Sequence, residues 1–343
     1  MRVATSSGYS RPTALVTRSR SVRMPTVDDL VIATPGAARL TWSGGSGNPR
    51  IVSLYEQTKQ LQWNASTDVD WSVPVEFGSA LPEDSTFGLS AFRSSPLLSR
   101  GRAAWDAFRW EFHAWLASQF AHGEQGAVIA SARLTEVLPD VDAKCFAAVQ
   151  VADEARHVEA FSRYVRDKMP STYPVAGPLA SLLRDVFRDA RWDITALGLH
   201  VILEGLAMAM LRMANHTFHD ALIRDITRLA ARDEARHVAF GIVLLQSTYA
   251  ELSPTELAER EDVVLEAALH MHRWFLLDDV WRRLDVAPAE GVGFATTNPV
   301  MVAYRQAVFA KTAGSLARIG LMTDRVRAGL LDLGLLRNAE PAG

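Results

Sequence analysis

The pentapeptide Asp-Glu-Ala-Arg-His occurs twice, at residues 153–157 and again at residues 233–237. Each copy contains Glu-x-x-His. On a helix, residues three apart differ by about 60° in direction and stand one turn apart, so the carboxylate and the imidazole face the same way. A single string of this kind can be an exposed helix with an Asp–Arg pair. The spacing around the two copies is more restrictive. Glu124 lies 30 residues before Glu154, and Glu204 lies 30 residues before Glu234. The midpoints are residues 139 and 219, where Pro139-Asp140 and the stretch from Asn215 to Asp220 read as turns. A hairpin folded at either point brings its two glutamates to the same height, about 22 Å from the turn. The halves are offset by 80 residues, and each offers one Glu from its first helix and one Glu-x-x-His from its second.

Proline placement supports helices on both sides of those turns. Prolines are dense up to Pro96, then absent until Pro139, again until Pro170, and from Pro178 to Pro254. Those gaps hold helix formers with apolar residues three and four apart, such as Phe108, Phe112, Trp115 and Leu116. The pattern predicts helices at about 98–138, 141–169, 178–189, 190–217, 220–251, 254–285 and 299–333. Ser253-Pro254-Thr255-Glu256 reads as an N-cap, a first-turn proline and a capping box, and Asn298-Pro299 marks a second start. The expected class is all-α: an antiparallel helical bundle over residues 98–335, with an irregular extension over 51–97 packing on it. Residues 1–50 are expected to be a disordered basic tail. Arg2, Arg11, Arg18, Arg20 and Arg23 occur there before any acid, and Met24 is an alternative start.

Composition narrows the chemistry. One cysteine, Cys145, cannot form an internal disulfide, a zinc knuckle or an iron–sulfur cluster, so any metal must be held by Glu, Asp and His. A net charge of -3 leaves no electrostatic footprint for nucleic acid. The most apolar stretch, Ile194 to Leu211, carries His200 and Glu204 and is not expected to span a membrane. The chain reads as a cytoplasmic globule. Glu124 sits between Phe120 and Val128, and Glu204 between Val201 and Met208, so both carboxylates fall inside apolar helices. Burying four uncompensated carboxylates would be unfavourable by several kcal/mol each. Two divalent ions would neutralise them.

This constellation resembles the ferritin-like di-iron carboxylate superfamily, in which four glutamates and two histidines of a four-helix bundle hold two irons. The resemblance covers about residues 98–251. It implies a ferritin-like four-helix bundle with additional helices, and it implies six metal ligands: Glu124, Glu154, His157, Glu204, Glu234 and His237. Asp153 and Asp233 match family positions that accept the second ring N–H of a ligand histidine, which fixes the tautomer and raises basicity. Arg156 and Arg236 are expected to pair with these aspartates.

The superfamily includes ferritins, ribonucleotide reductase small subunits, multicomponent hydroxylases, acyl-carrier-protein desaturases and arylamine N-oxygenases. The position of the radical-bearing tyrosine is Phe161 here, with Tyr164 a turn further on. Arginine directly before both histidines is similar to the hydroxylases and desaturases, but their third-helix threonine is replaced by Ala207 and Met208. The extra histidine of the N-oxygenases corresponds to Ala230. The match is to the shared bundle rather than to one enzyme.

The resemblance implies two iron ions, or a manganese–iron pair, with O₂ as co-substrate. It implies an oxidoreductase that hydroxylates, desaturates or N-oxygenates a small or carrier-bound organic molecule. The alternative is a ferroxidase or metal-handling protein with no organic substrate. No flavin, ferredoxin or nicotinamide motif is visible, so a separate electron donor is expected. A homodimer is a further expectation from such bundles. His200, four residues before Glu204, is the candidate catalytic residue: a seventh ligand, a proton donor to reduced oxygen or a substrate contact, with a hydrogen-bonded core histidine as the alternative. Gly205 would ease carboxylate movement or allow close helix packing. Trp105, Trp110 and Trp115 read as core packing, with an electron path as the alternative. The helices beyond the minimal four, together with the aromatic segment from Tyr55 to Trp71, would enclose a substrate pocket.

Overall fold

Asn48 accepts a hydrogen bond from the Arg50 backbone N–H and starts α1 (Pro49–Gln60), so part of the expected irregular extension is helical. The reason is local: an Asn cap followed by proline at the first position is a strong helix start. The computed structural model describes residue 38 and residues 48–83 and 87–337, and the expected basic tail lies almost wholly outside the described residues. The short α2 (Leu89–Phe92) follows and, after a 3₁₀ turn, the long α3 (Arg102–Val137). Then come α4 (Val141–Lys168), α5 (Gly177–Arg188) and α6 (Trp192–Ala196). A π-helical turn, Leu197–Leu203, joins α6 to α7 (Glu204–Thr217), and α8 (Ala221–Tyr249) completes the central set. The remainder is α9 (Pro254–Trp274), α10 (Asp278–Arg283), α11 (Pro288–Thr297), α12 (Pro299–Arg318) and α13 (Asp324–Asp332).

Four helices form the bundle. α3 pairs with α4 across residues 138–140, and α7 with α8 across residues 218–220, so both expected turns fall where the spacing put them. Asp140 and Asp220 each cap the second helix of their pair, accepting from Ala143 N and Ile223 N. α4 faces α8, α1 lies on both, α5 pairs with α9, and α12 packs on α7. All the described residues belong to one compact unit. The stretch Trp192–Asn215 is long and apolar enough to cross a membrane, and 89 % of its most apolar window is buried within the fold.

Two predicted helices are divided. The segment 254–285 ends its first helix at Trp274 and restarts at Asp278, with Leu277 in the left-handed region at φ 59°. Phe275, Leu276 and Leu277 carry no glycine or proline to mark the break. The segment 299–333 breaks where Gly320 takes φ 81°, a conformation glycine adopts without strain. α11 falls between the two predicted segments. The Ser253–Glu256 capping box and the Asn298 cap both form.

A buried chain of hydrogen bonds locks the far end of the bundle. Tyr164 of α4 donates to Asp220 Oδ2 at 2.9 Å, and its hydroxyl lies 2.9 Å from His113 Nε2 of α3. Burial holds His113 near a pKa of about 3, so it is neutral. Its Nε2–H donates to the tyrosine oxygen. Tyr164→Phe leaves both neighbours short of a partner and should destabilise the chain by about 1–3 kcal/mol. Urea unfolding measures this; an unchanged midpoint would show that the network is dispensable.

Candidate metal centre

All six residues singled out by spacing are brought together, and none is more than 5 % exposed. They form two overlapping groups. Ligand-type atoms of Glu124, Glu154, His157 and Glu234 lie within 4.8 Å of one another, as do those of Glu154, Glu204, Glu234 and His237. His157 Nδ1 is 3.4 Å from Glu124 Oε2, 3.2 Å from Glu154 Oε2 and 3.3 Å from Glu234 Oε1. His237 Nδ1 is 3.0 Å from Glu154 Oε1 and 3.6 Å from Glu234 Oε2. Glu154 and Glu234 therefore turn one oxygen toward each histidine. Glu124 serves only the His157 side, and Glu204 only the His237 side.

The donor set fits a pair of cations. Glu154 Oε2, Glu204 Oε2, Glu234 Oε2, His157 Nδ1 and His237 Nδ1 are buried without a hydrogen-bond partner among the described residues. Orphaned buried polar atoms are rare in folded proteins and carry a penalty of about 1–3 kcal/mol each. Five of them converging on two points are what metal ligands look like. Carboxylate oxygen with imidazole nitrogen suits iron or manganese, and two carboxylates common to both groups with one more in each would suit two ions rather than one.

The surrounding shell is crossed between the two motifs. His157 Nε2 lies 3.3 Å from Asp233 Oδ2, and His237 Nε2 lies 3.2 Å from Asp153 Oδ2. Each aspartate thus holds the histidine of the other helix, fixing Nε2 as the protonated nitrogen and leaving Nδ1 to coordinate. Arg156 pairs with Asp153, and Arg236 Nη2 donates to Asp233 Oδ1 at 2.6 Å. From the segment after α1, Trp63 Nε1 donates to Asp233 Oδ2 at 2.6 Å and Gln62 Nε2 to Asp153 Oδ1 at 2.9 Å. Gln62 and Trp63 had no motif to mark them. Gln150 had one faint signal, its position one turn before Glu154. Its amide nitrogen donates to Glu154 Oε1 at 3.0 Å and Glu204 Oε1 at 2.6 Å.

His200 does not join the ligand groups. It is fully buried, its Nε2 lies 3.1 Å from Gln150 Oε1, and Phe240 meets its ring edge-on. Burial first, then the charge of His237, pushes its pKa down to about 3. A neutral ring donating from Nε2 satisfies Gln150. A Cβ on Gly205 would stand 3.1 Å from Thr312 Oγ1, so this glycine admits α12 close to α7. Trp105 stacks on Phe108 and Trp115 packs on Trp274, as core residues do, and Trp110 Nε1 donates to Ser79 O. Phe161 packs against Phe120.

A narrow pocket of about 40 Å³ opens against Glu124, Glu204 and Glu234. Phe120, Leu203, Met210, Met271 and Trp274 are among its apolar walls. α9 contributes to it as the sequence suggested, while the segment from Tyr55 to Trp71 and the helices after Pro299 do not.

Protons take the place of cations in the metal-free protein. Burial pushes the Glu124 carboxyl up to about 8 and holds Glu204 well above the usual carboxylate range. Burial also opposes charge on His157 and His237, but the carboxylates around them outweigh it and raise both. A group whose folded pKa is raised adds stability that is present below its unfolded value, 4.5 for Glu124, and lost as pH rises through about 8. The metal-free chain should therefore lose stability between about pH 5 and pH 8, while the gain in Tm on adding a divalent metal should grow, because ligands must shed protons to bind it. Thermal unfolding at several pH values, with and without metal, checks this. A metal-induced gain that shrinks with rising pH would contradict the assignment.

No protein-family model and no curated protein matches the chain. Among solved structures, it is similar to a point mutant of an R2-like ligand-binding oxidase with an anaerobically reconstituted Mn/Fe cofactor. That match has 17% identity and a TM-score of 0.47, over 79% of this chain and 94% of that one. A second, an R2-like ligand-binding oxidase with an aerobically reconstituted Mn/Fe cofactor, gives 17% identity and a TM-score of 0.43, over 83% and 90%. At such identities and overlaps function has to be read from the side chains of this chain.

Proposed function

We propose that this chain is a ferritin-like dimetal oxidoreductase that uses O₂ to oxidise a small, largely apolar organic molecule. The observation that carries the reading is the convergence of five orphaned ligand atoms from Glu154, His157, Glu204, Glu234 and His237 on two overlapping positions. Two iron ions, or one manganese and one iron, would supply electrons to reduce O₂ and the oxidising power directed at substrate. Glu154 and Glu234 would bridge them, Glu124 and Glu204 would be terminal carboxylates, and the two Nδ1 atoms would complete the set. Asp153 and Asp233 hold the imidazoles in the required tautomer.

The pocket supports an organic substrate over simple iron handling. Its walls are mostly apolar around the side on which Glu124, Glu204 and Glu234 lie. Trp274 Nε1 is buried without a partner, a donor suited to one acceptor atom on an otherwise apolar molecule. Hydroxylation, desaturation and N-oxygenation all fit, and electrons for repeated turnover come from a separate donor protein or a small reductant.

Anaerobic Fe(II) loading followed by O₂ exposure tests the reading. The expected result is two irons per chain and O₂ uptake that accompanies their oxidation. No iron uptake overturns it. Release of ferric product on repeated iron addition, with no substrate dependence, favours the ferroxidase alternative.

A further inference from the structure

Gln150 divides the two metal positions. It is fully buried, and all three of its side-chain hydrogen bonds are made on one side of the site. Its two amide N–H groups reach Glu154 Oε1 and Glu204 Oε1. Glu204 belongs only to the His237 group, and Glu154 Oε1 is the oxygen turned toward His237. Among the described residues, no neutral side chain makes a corresponding bond to Glu124.

An amide can turn either edge toward its neighbours. Turned the other way, Gln150 would present its oxygen to two carboxylates. The two carboxylates take the amide N–H groups, which leaves the amide oxygen facing His200 Nε2 and sets that nitrogen as the protonated one. The resulting bond holds the amide in this orientation. The ring can lie there because Gly241 of α8 has no side chain: a Cβ at that position would stand 2.1 Å from His200 Cβ. The other oxygen of Glu204 has no hydrogen-bond partner among the described residues, so Gln150 is what orients this carboxylate.

We infer that Gln150, its amide locked by His200 in the slot over Gly241, is a positioning residue chiefly for the metal position at His237, where it holds two ligands, and reaches the position at His157 only through the shared Glu154. The inference rests on the dimetal reading above. Hydrogen bonds to ligating groups of this kind are worth about 10–100-fold in metal affinity, and here that factor applies chiefly to one ion of the two. His200 acts through Gln150 and touches no metal.

Anaerobic titration with Co(II) alone, followed by its visible absorption and by calorimetry, tests this without turnover. The wild-type chain should take up two ions. Gln150→Met keeps the volume and removes the donors; it should bind one ion about 10–100-fold more weakly and the other with a much smaller loss. His200→Leu should act in the same direction, His200→Gln should restore much of the loss by supplying an N–H, and Gln150→Met/His200→Leu should be no worse than Gln150→Met. If Gln150→Met fails to fold, judged by helical circular dichroism, the two His200 variants carry the same comparison. Two ions bound as in wild type, or both weakened equally, would overturn the assignment. A wild-type chain that binds no pair of ions would instead overturn the dimetal reading, and the assignment with it.

Discussion

Glu154→Ala should abolish binding at both metal positions, whereas Glu204→Ala should empty one. Glu154 turns Oε2 toward His157 and Oε1 toward His237, so its removal takes a ligand from each group. Glu204 belongs to a single group. Losing one carboxylate from a four-ligand position should weaken binding by two orders of magnitude or more, on the order of the larger effects seen when supporting groups are lost. Metal content after anaerobic loading and dialysis should fall from two ions per chain to none for Glu154→Ala and to one for Glu204→Ala. Neither variant should oxidise iron with O₂, and both should keep wild-type helical circular dichroism. In metal-free form Glu204→Ala should be little less stable than wild type, because burial already penalises that carboxylate, whereas Glu154→Ala should be less stable, because it takes the counter-charge from His157 and His237. Two tightly bound ions in Glu154→Ala would show that this carboxylate is not shared.

Gly241→Ala should be among the most damaging single-methyl additions in the chain. The new Cβ would stand 2.1 Å from His200 Cβ and 2.7 Å from its Cγ, and neither α8 nor the π-helical turn can yield easily in a packed core. Overpacking of this kind destabilises by about 3 kcal/mol, or roughly 4 °C in Tm for a chain of this size. The same displacement would free the Gln150 amide and weaken the ion at His237. Gly241→Ala/His200→Ala should recover only part of the lost Tm, because alanine keeps the Cβ at 2.1 Å, whereas Gly241→Ala/His200→Gly should recover most of it. Thermal unfolding of the metal-free proteins measures both. A Gly241→Ala chain that melts within a degree of wild type would mean that His200 does not occupy this slot.

These two effects have different origins. The first follows from electrostatics concentrated at six side chains and depends on metal. The second follows from close packing, and it reaches the metal centre only through the chain of contacts from Gly241 to His200, Gln150 and Glu204. The centre is accordingly built from helices that position the ligands and from a shell that orients them.

The ligand register was legible because it depends on helix geometry alone. Thirty-residue separations about a turn place Glu124 beside Glu154 and Glu204 beside Glu234, whatever the rest of the chain does. The Ser253 cap was legible for the same reason: its partner lies within three residues. The orientation of the shell was not. Identical motifs leave open which aspartate holds which histidine, and the crossing follows from turning each Nδ1 inward, which points Nε2 at the facing helix. The contacts of Gln62 and Trp63 with Asp153 and Asp233 span 91 and 170 residues. The break at Leu277 and the course of His200 through a π-helical turn also depend on packing, not on local preference. Sequence by itself determined that four carboxylates and two imidazoles would meet in a helical bundle, because helical periodicity and turn position act over a few residues at a time. Only the tertiary structure decided that Gln150 and His200 would attend one side of the site, because that asymmetry arises where separate helices press together.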